Sequence, residues 1–371
     1  MIETIELENF KAFRNQRIDL SPLTILAGAN SSGKSTVLQA LGLVRQSLVT
    51  SASKVTELSL NGEWVQLGTG RDVRHEHWIQ NGSKAGDVRI AITEDGVGRS
   101  LSGGYLATSD VLPIRRPPSV ASFKNSSLSG RLFQYIRADR MVPQTSYQRS
   151  YESVTKRNSL GAHGQFVVDF LLTNQDSFEI DPALAHPAED RLSILTQVEA
   201  WLGSISPGTN VDLSSLEGTD SVRLSFRLGR SGLDSSNSYR PTNVGFGLSY
   251  ALPVIVAALV SQRGGLLLIE NPEAHLHPSG QAALGTLLVA ASRAGTQVVV
   301  ETHSDHVLNS IRLSVRKDRV APDEVGIKFF SRPERGEPTI DSPTILPNGA
   351  IDRWPDGFFD EWDSAIVELT S

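Results

Sequence analysis

Residues 2–7 alternate apolar and polar side chains, the period of a strand with one buried face, and residues 17–20 and 23–27 predict two further strands. Residues 37–48 carry apolar positions at helical spacing. Asn61-Gly62, within 58–67, predicts a hairpin turn, and 88–93 reads as a strand. From 95 to 130 glycine, serine and proline accumulate, so this stretch is expected as loops or a mobile insertion. Helical spacing returns at 163–172 and 190–202, and strand alternation at 221–228.

The second half is more regular. A buried helix is predicted over 248–260, an apolar strand over 266–269, a helix over 280–294, a second apolar strand over 298–300 and a helix over 305–315. Strands this uniformly apolar, separated by helices, belong to a parallel sheet covered on both faces. The predicted class is therefore α/β, without internal repeats or the sustained heptads of a long coiled coil.

Between the strand at 23–27 and the helix from 37 lies Gly28-Ala29-Asn30-Ser31-Ser32-Gly33-Lys34-Ser35-Thr36. This is a P-loop: glycines let backbone N–H groups curl around phosphate, Lys34 reaches the terminal phosphates, and the Ser35 hydroxyl can hold Mg²⁺. Glu270 ends the apolar strand 266–269, where a carboxylate can hold the same Mg²⁺, the Walker B role. His303 follows the next apolar strand and can meet a γ-phosphate or the attacking water. An ordinary acid leaving a strand and an ordinary structural histidine are the bland readings of these two; the P-loop lifts both.

Composition narrows the class without changing it. At 371 residues, 39% hydrophobic and 20% charged, the chain fits an ordinary globular protein that is one large domain with an insertion or two smaller ones. No apolar run is long enough for a membrane span and no secretory leader is apparent, so a cytoplasmic protein without membrane contact is expected. The absence of cysteine excludes disulfides and thiolate zinc sites. The net charge of −6 equals that of residues 341–371, where seven acids face Arg353. Residues 111–160 hold nine bases against Asp139 and Glu152; they read as a possible nucleic-acid contact or, more blandly, as a solvated surface with some arginines turned to the nucleotide.

Taken together these motifs resemble the ABC-type ATPases of the RecF, SMC and OLD group. The resemblance rests on Asn9-Phe10-Lys11-Ala12-Phe13 ahead of the P-loop and on Ile269-Glu270-Asn271-Pro272-Glu273-Ala274-His275-Leu276-His277-Pro278 as Walker B and D-loop. More narrowly it is similar to stand-alone bacterial members ending in a Trp-Pro-x-Gly-Phe-Phe tail, here from Trp354 to Phe359. The resemblance implies an ATPase head with four segments: an N-terminal lobe of antiparallel strands (1–94), a basic and helical insertion (95–205), a C-terminal lobe (206–345) and an acidic tail (346–371). It also implies ATP and Mg²⁺ as cofactors, with Lys11 near the nucleotide. The signature loop is expected at the start of the helix before Walker B, where Asn243, Gly245, Gly247 and Ser249 would offer groups to a nucleotide held by a second copy. Leu101-Ser102-Gly103-Gly104 matches the signature literally but lacks a following helix pattern, and reads as a decoy in a turn. Gln66 is the candidate Q-loop residue.

One position departs from the group. Asn271 stands where a catalytic glutamate is usual, and an amide cannot take a proton from water. Glu273, two residues on, is then the candidate base if the loop places it within hydrogen-bond reach; alternatively Asn271 only positions the water, and hydrolysis is expected to be slow. His275, His277, His303 and His306 invite a zinc reading, but the ATPase motifs already account for each. The function expected is an ATP-dependent head-to-tail dimer that works with an effector partner, in nucleic-acid processing or antiviral defence. The alternatives are an ATP-gated scaffold with little hydrolysis and an OLD-like nuclease, for which the 68 residues after His303 are too few.

Overall fold

The computed structural model describes residues 1–78, 86–229, 237–332 and 337–355. The tail motif beyond Pro355, with Asp356, Asp360, Glu361, Asp363 and Glu368 of the acidic segment, lies outside them.

In chain order the elements begin with β1 (Ile2–Phe10), β2 (Phe13–Asp19), β3 (Leu23–Gly28), α1 (Lys34–Val49), β4 (Glu57–Ser59) and the single turn α2 (Gly70–Val73). Strands β5 (Val88–Glu94), β6 (Val97–Gly103), β7 (Val111–Pro113), β8 (Phe133–Ile136) and β9 (Tyr147–Gln148) come next, then helices α3 (Val167–Asn174) and α4 (Ile194–Ile205). The rest are β10 (Thr209–Leu216), β11 (Ser221–Leu228), α5 (Phe246–Leu259), β12 (Leu266–Glu270), α6 (Pro278–Arg293), β13 (Gln297–Glu301), α7 (Asp305–Arg316), β14 (Val325–Ser331) and β15 (Thr339–Asp341). No helix among the described residues is long and apolar enough to cross a membrane.

Two compact units emerge. The first takes residues 1–129, 301–305 and the chain from 312 onward; the second takes 130–300 and 306–311. In the first, β1 lies between β2 and β5 in an antiparallel sheet of order β2-β1-β5-β6, with Ile5 facing Ile18 on one side and Ile92 on the other. Beside it, β14 pairs parallel with β3 and antiparallel with β15. The expected loops after 95 instead contain β6 and β7: β6 pairs with β5 along its whole length, and β7 with β4. The predicted hairpin closes only at its tip, where Asn61 and Gln66 form an isolated antiparallel bridge, the Gly62 N–H bonds the Val65 carbonyl at 2.8 Å and the Leu67 N–H the Leu60 carbonyl at 2.9 Å.

In the second unit β12 pairs parallel with β8 and neighbours β13. All five residues of β12 and all five of β13 are buried, the pattern of strands covered on both faces. Strand β8, four buried residues inside the segment read as a basic insertion, was not anticipated. Helix α5 buries residues around its whole circumference, as a helix enclosed by neighbours must. Pro253 sits inside it and has no N–H for the carbonyl of Ser249. Truncating Leu252, fully buried on α5, to alanine would cost about 2–5 kcal/mol.

Candidate nucleotide site

In the first unit the P-loop joins β3 to α1 through residues whose backbone only small side chains allow. Gly28 has φ +129°, and a Cβ there would collide with the carbonyl of Phe330 on β14. Gly33, which caps α1, has φ +103°, with room for a Cβ only 2.8 Å from Phe13 Cζ. Ser31 takes the left-handed region at φ 60°, and Ser32 is buried and donates to the Ala29 carbonyl at 2.8 Å. Asn30 and Ser31 are exposed on the rim. Lys34, 3% exposed, reaches back so that Nζ donates to the carbonyls of Gly28 at 3.0 Å and Ala29 at 2.6 Å. Thr36 is buried, and its N–H bonds the Gly33 carbonyl at 3.1 Å. A loop ending at a sixteen-residue helix presents N–H groups and the positive end of the helix dipole, the groups an anion needs.

Two other parts of this unit meet α1. Lys11, at φ 49°, donates through Nζ to Gln39 Oε1 at 2.7 Å. Ser35 Oγ donates to Glu301 Oε1 at 2.9 Å. Glu301, 4% exposed, is the last residue of β13, and the N–H of the next residue, Thr302, bonds the Leu26 carbonyl of β3 at 3.1 Å. His303 follows, exposed. The sequence reading did not single out this contact of Glu301 with the P-loop, although the signal was there: Glu301 ends an apolar strand just as Glu270 does.

The second unit holds the Walker B segment. Glu270, at the end of β12, accepts the Tyr135 hydroxyl at 2.5 Å on one oxygen and the Ala138 N–H at 2.9 Å on the other. Asn271 is left-handed at φ 44°, a conformation asparagine tolerates better than most residues. Its Nδ2 donates to Glu273 Oε1 at 3.3 Å, so the amide and the candidate base form one pair. Arg140, 2% exposed, locks this turn by donating to the carbonyls of Glu270 at 2.7 Å, Asn271 at 2.5 Å and Tyr250 at 2.9 Å. Burial pushes its guanidinium down to about 10, with Glu273, Tyr250 and Glu270 pulling the other way.

The segment expected as the signature loop caps α5. Asn243 and Gly245 are exposed, and nothing lies within 4 Å of a Cβ at Gly245. Gly247 is tight: a Cβ would sit 2.9 Å from the His275 carbonyl. Phe246, 53% exposed, and Tyr250 flank the His275 ring at 5.7 and 4.5 Å. The loop opens on a cavity of about 530 Å³ lined by Tyr239, Asn243, Gly245, Gly247, His275 and His277 among others. Ser249, in the first turn of α5, is wholly buried inside the unit, unlike Asn243 and Gly245. Leu101-Ser102-Gly103 lies on β6 rather than in a turn, and no helix follows it.

Gln66 is exposed beside its bridge to Asn61, whereas Gln46, 1% exposed on α1, ties down the loop at 59–65 through the Ser59 carbonyl and the Trp64 N–H. The basic segment is largely self-satisfied. Arg115, Arg137, Arg149, Lys156 and Arg157 pair with Asp87, Asp139, Asp169 and Glu152, and Arg140 is buried. His277 caps α6, accepting the Ser279 N–H.

An AAA ATPase domain model matches residues 1–92, a model described as AAA domain, putative AbiEii toxin, Type IV TA system matches 205–309, and one for a protein of unknown function (DUF3696) matches 320–369. A curated relative, the OLD nuclease of Thermus scotoductus, is 24% identical over 90% of this chain. The chain spans 65% of that relative's length. Among solved structures, the SMC head domain from Thermotoga maritima is 14% identical with a TM-score of 0.45, over 92% of this chain and 98% of that one. An Smc head domain from Pyrococcus furiosus, bound to the C-terminal domain of ScpA, is 15% identical with a TM-score of 0.48, over 100% and 99%.

Proposed function

We propose that this chain, an ABC-type P-loop ATPase of the RecF, SMC and OLD group, binds ATP with Mg²⁺ and hydrolyses it, two copies associating head to tail across the nucleotide. The observation that carries the proposal is the P-loop itself: a left-handed glycine cradle, a buried Lys34 and a Ser35 hydroxyl set by a carboxylate. Ser35 and Glu270 carry hard oxygens of the kind Mg²⁺ takes, and both are proposed as its ligands. Held there, Mg²⁺ would supply charge neutralisation for the phosphates.

The chain's own groups divide the remaining work. P-loop N–H groups and Lys34 hold the phosphates, with Gly33 and Thr36 fixing the start of α1. Glu273 takes the proton of the attacking water, and Asn271 orients its carboxylate; His303 meets the γ-phosphate. Asn243, Gly245 and Gly247 of one copy contact the nucleotide held by the other, which makes ATP the adhesive of the dimer. The effector partner and the role in nucleic-acid processing or defence follow from the resemblance alone. The paired bases of 111–160 favour the solvated-surface reading of that segment over a nucleic-acid contact.

A second reading has one observation in its favour. Asn271 at the usual glutamate position fits a scaffold that holds ATP and cleaves it slowly. Light scattering tests the dimer that both readings share: with ATP the parent protein should double in mass, and Gly245→Trp, at a position where a Cβ meets nothing within 4 Å, should not. A monomer with and without ATP would refute the head-to-tail dimer.

A further inference from the structure

Resting on the ATPase reading, we propose that Glu301 is a positioning residue for the Mg²⁺ site: it accepts the Ser35 proton and so turns the Oγ lone pairs toward the cation. A serine hydroxyl has one hydrogen and two lone pairs, and it ligates a cation only through the latter. Its hydrogen therefore needs an acceptor away from the metal, and Glu301 Oε1 is that acceptor at 2.9 Å. A carboxylate in this place makes the bond charge-assisted and raises the basicity of the ligand oxygen, as partners of metal ligands do elsewhere.

The placement is fixed from both sides. Glu301 is 4% exposed, and the next residue, Thr302, is hydrogen-bonded to Leu26 of the strand that leads into the P-loop. Carboxylate and loop are therefore referenced to one strand, and a shift of β3 moves both. A divalent cation beside Ser35 would offset part of the desolvation cost of holding a carboxylate at this depth. The other strand-end acid, Glu270, has its oxygens on Tyr135 and the Ala138 N–H, so the two acids are not duplicates.

The test measures ATP affinity by calorimetry, once with Mg²⁺ and once with EDTA, for the parent, Ser35→Ala, Glu301→Ala, Glu301→Gln and the Ser35→Ala/Glu301→Ala double variant. Glu301→Ala should weaken binding by about 10- to 100-fold in Mg²⁺ and leave it unchanged in EDTA. The double variant should bind like Ser35→Ala, because Glu301 acts through Ser35. Glu301→Gln keeps an oxygen for the same hydrogen bond and should lie between parent and Glu301→Ala; it also decides the matter if Glu301→Ala melts before binding can be read. An equal loss in Mg²⁺ and EDTA, no loss in either, or losses that add in the double variant would overturn the proposal. Failure of the parent to bind ATP at all would instead overturn the ATPase reading on which it rests.

Discussion

Arg140 donates to the main-chain carbonyl of Asn271 at 2.5 Å across 131 residues of sequence, and the same guanidinium holds the Glu270 carbonyl at 2.7 Å. The turn after the Walker B strand is thus held by a buried cation acting on backbone. Arg140→Met leaves those carbonyls without their donor and should destabilise the protein by about 3–5 kcal/mol. Arg140→Lys keeps the charge but loses the planar fork, and should fold with ATP turnover reduced at least tenfold, on the order of 1.4 kcal/mol in the barrier. Thermal melts and turnover assays read the two effects separately.

The pair formed by Asn271 and Glu273 makes a prediction about pH. Replacing Asn271 by Asp exchanges a donor 3.3 Å from the Glu273 carboxylate for a second carboxylate. Like charges this close raise the pKa of one partner, so the acid limb of the turnover profile should move to higher pH. Glu273→Gln should lower turnover by about 10² or more while ATP affinity holds. Unchanged turnover in Glu273→Gln would remove it from the base role.

Gly28 tests the cradle. Gly28→Ala sets a Cβ against the Phe330 carbonyl at φ +129°, and should cost about 3 kcal/mol or more. Gly218, at φ +74° with nothing within 4 Å of its Cβ, is the control: Gly218→Ala bears only the left-handed backbone term of about 1–2 kcal/mol. Equal melting shifts for the two would contradict the contact.

Acid stability should depend on His186. Burial lowers its pKa below 6.5, opposed in part by Glu189, while its ring bonds Ser204 Oγ at 2.9 Å and meets Trp201 edge-on. The folded state therefore favours the neutral ring, and on acidification the unfolded chain binds the proton first. Stability is full above the ordinary histidine pKa and falls as pH drops through it. His186→Gln should flatten the stability curve between about pH 5 and 7 in denaturant titrations; His75, lowered by the same cause, leaves a residual slope.

Much of this was legible in the sequence because local pattern and local chemistry coincided. The P-loop, β12, β13 and helices α5 to α7 follow from apolar runs and glycines close in the chain. What the pattern did not show depended on distant partners. β8 is four residues whose strand identity comes from pairing with β12, 133 positions on. The hairpin at Asn61-Gly62 is reduced to one bridge, Asn61 to Gln66, because β4 pairs with the distant β7. Arg140 looked like one more base in a basic run, since only the fold delivers it to the carbonyls of 270 and 271. Glu301 shared the signal that singled out Glu270, but its meeting with Ser35, 266 residues away, is a product of tertiary structure. Ser249 lies on a face of α5 that packs inward, which only the fold shows.

The most direct test is steady-state ATP turnover by the purified chain with Mg²⁺, set beside Lys34→Ala under the same conditions. Turnover in the parent at least a hundredfold above that of Lys34→Ala is the expected result. Phosphate release indistinguishable between the two, with ATP bound, would contradict an ATPase and leave a nucleotide-held scaffold.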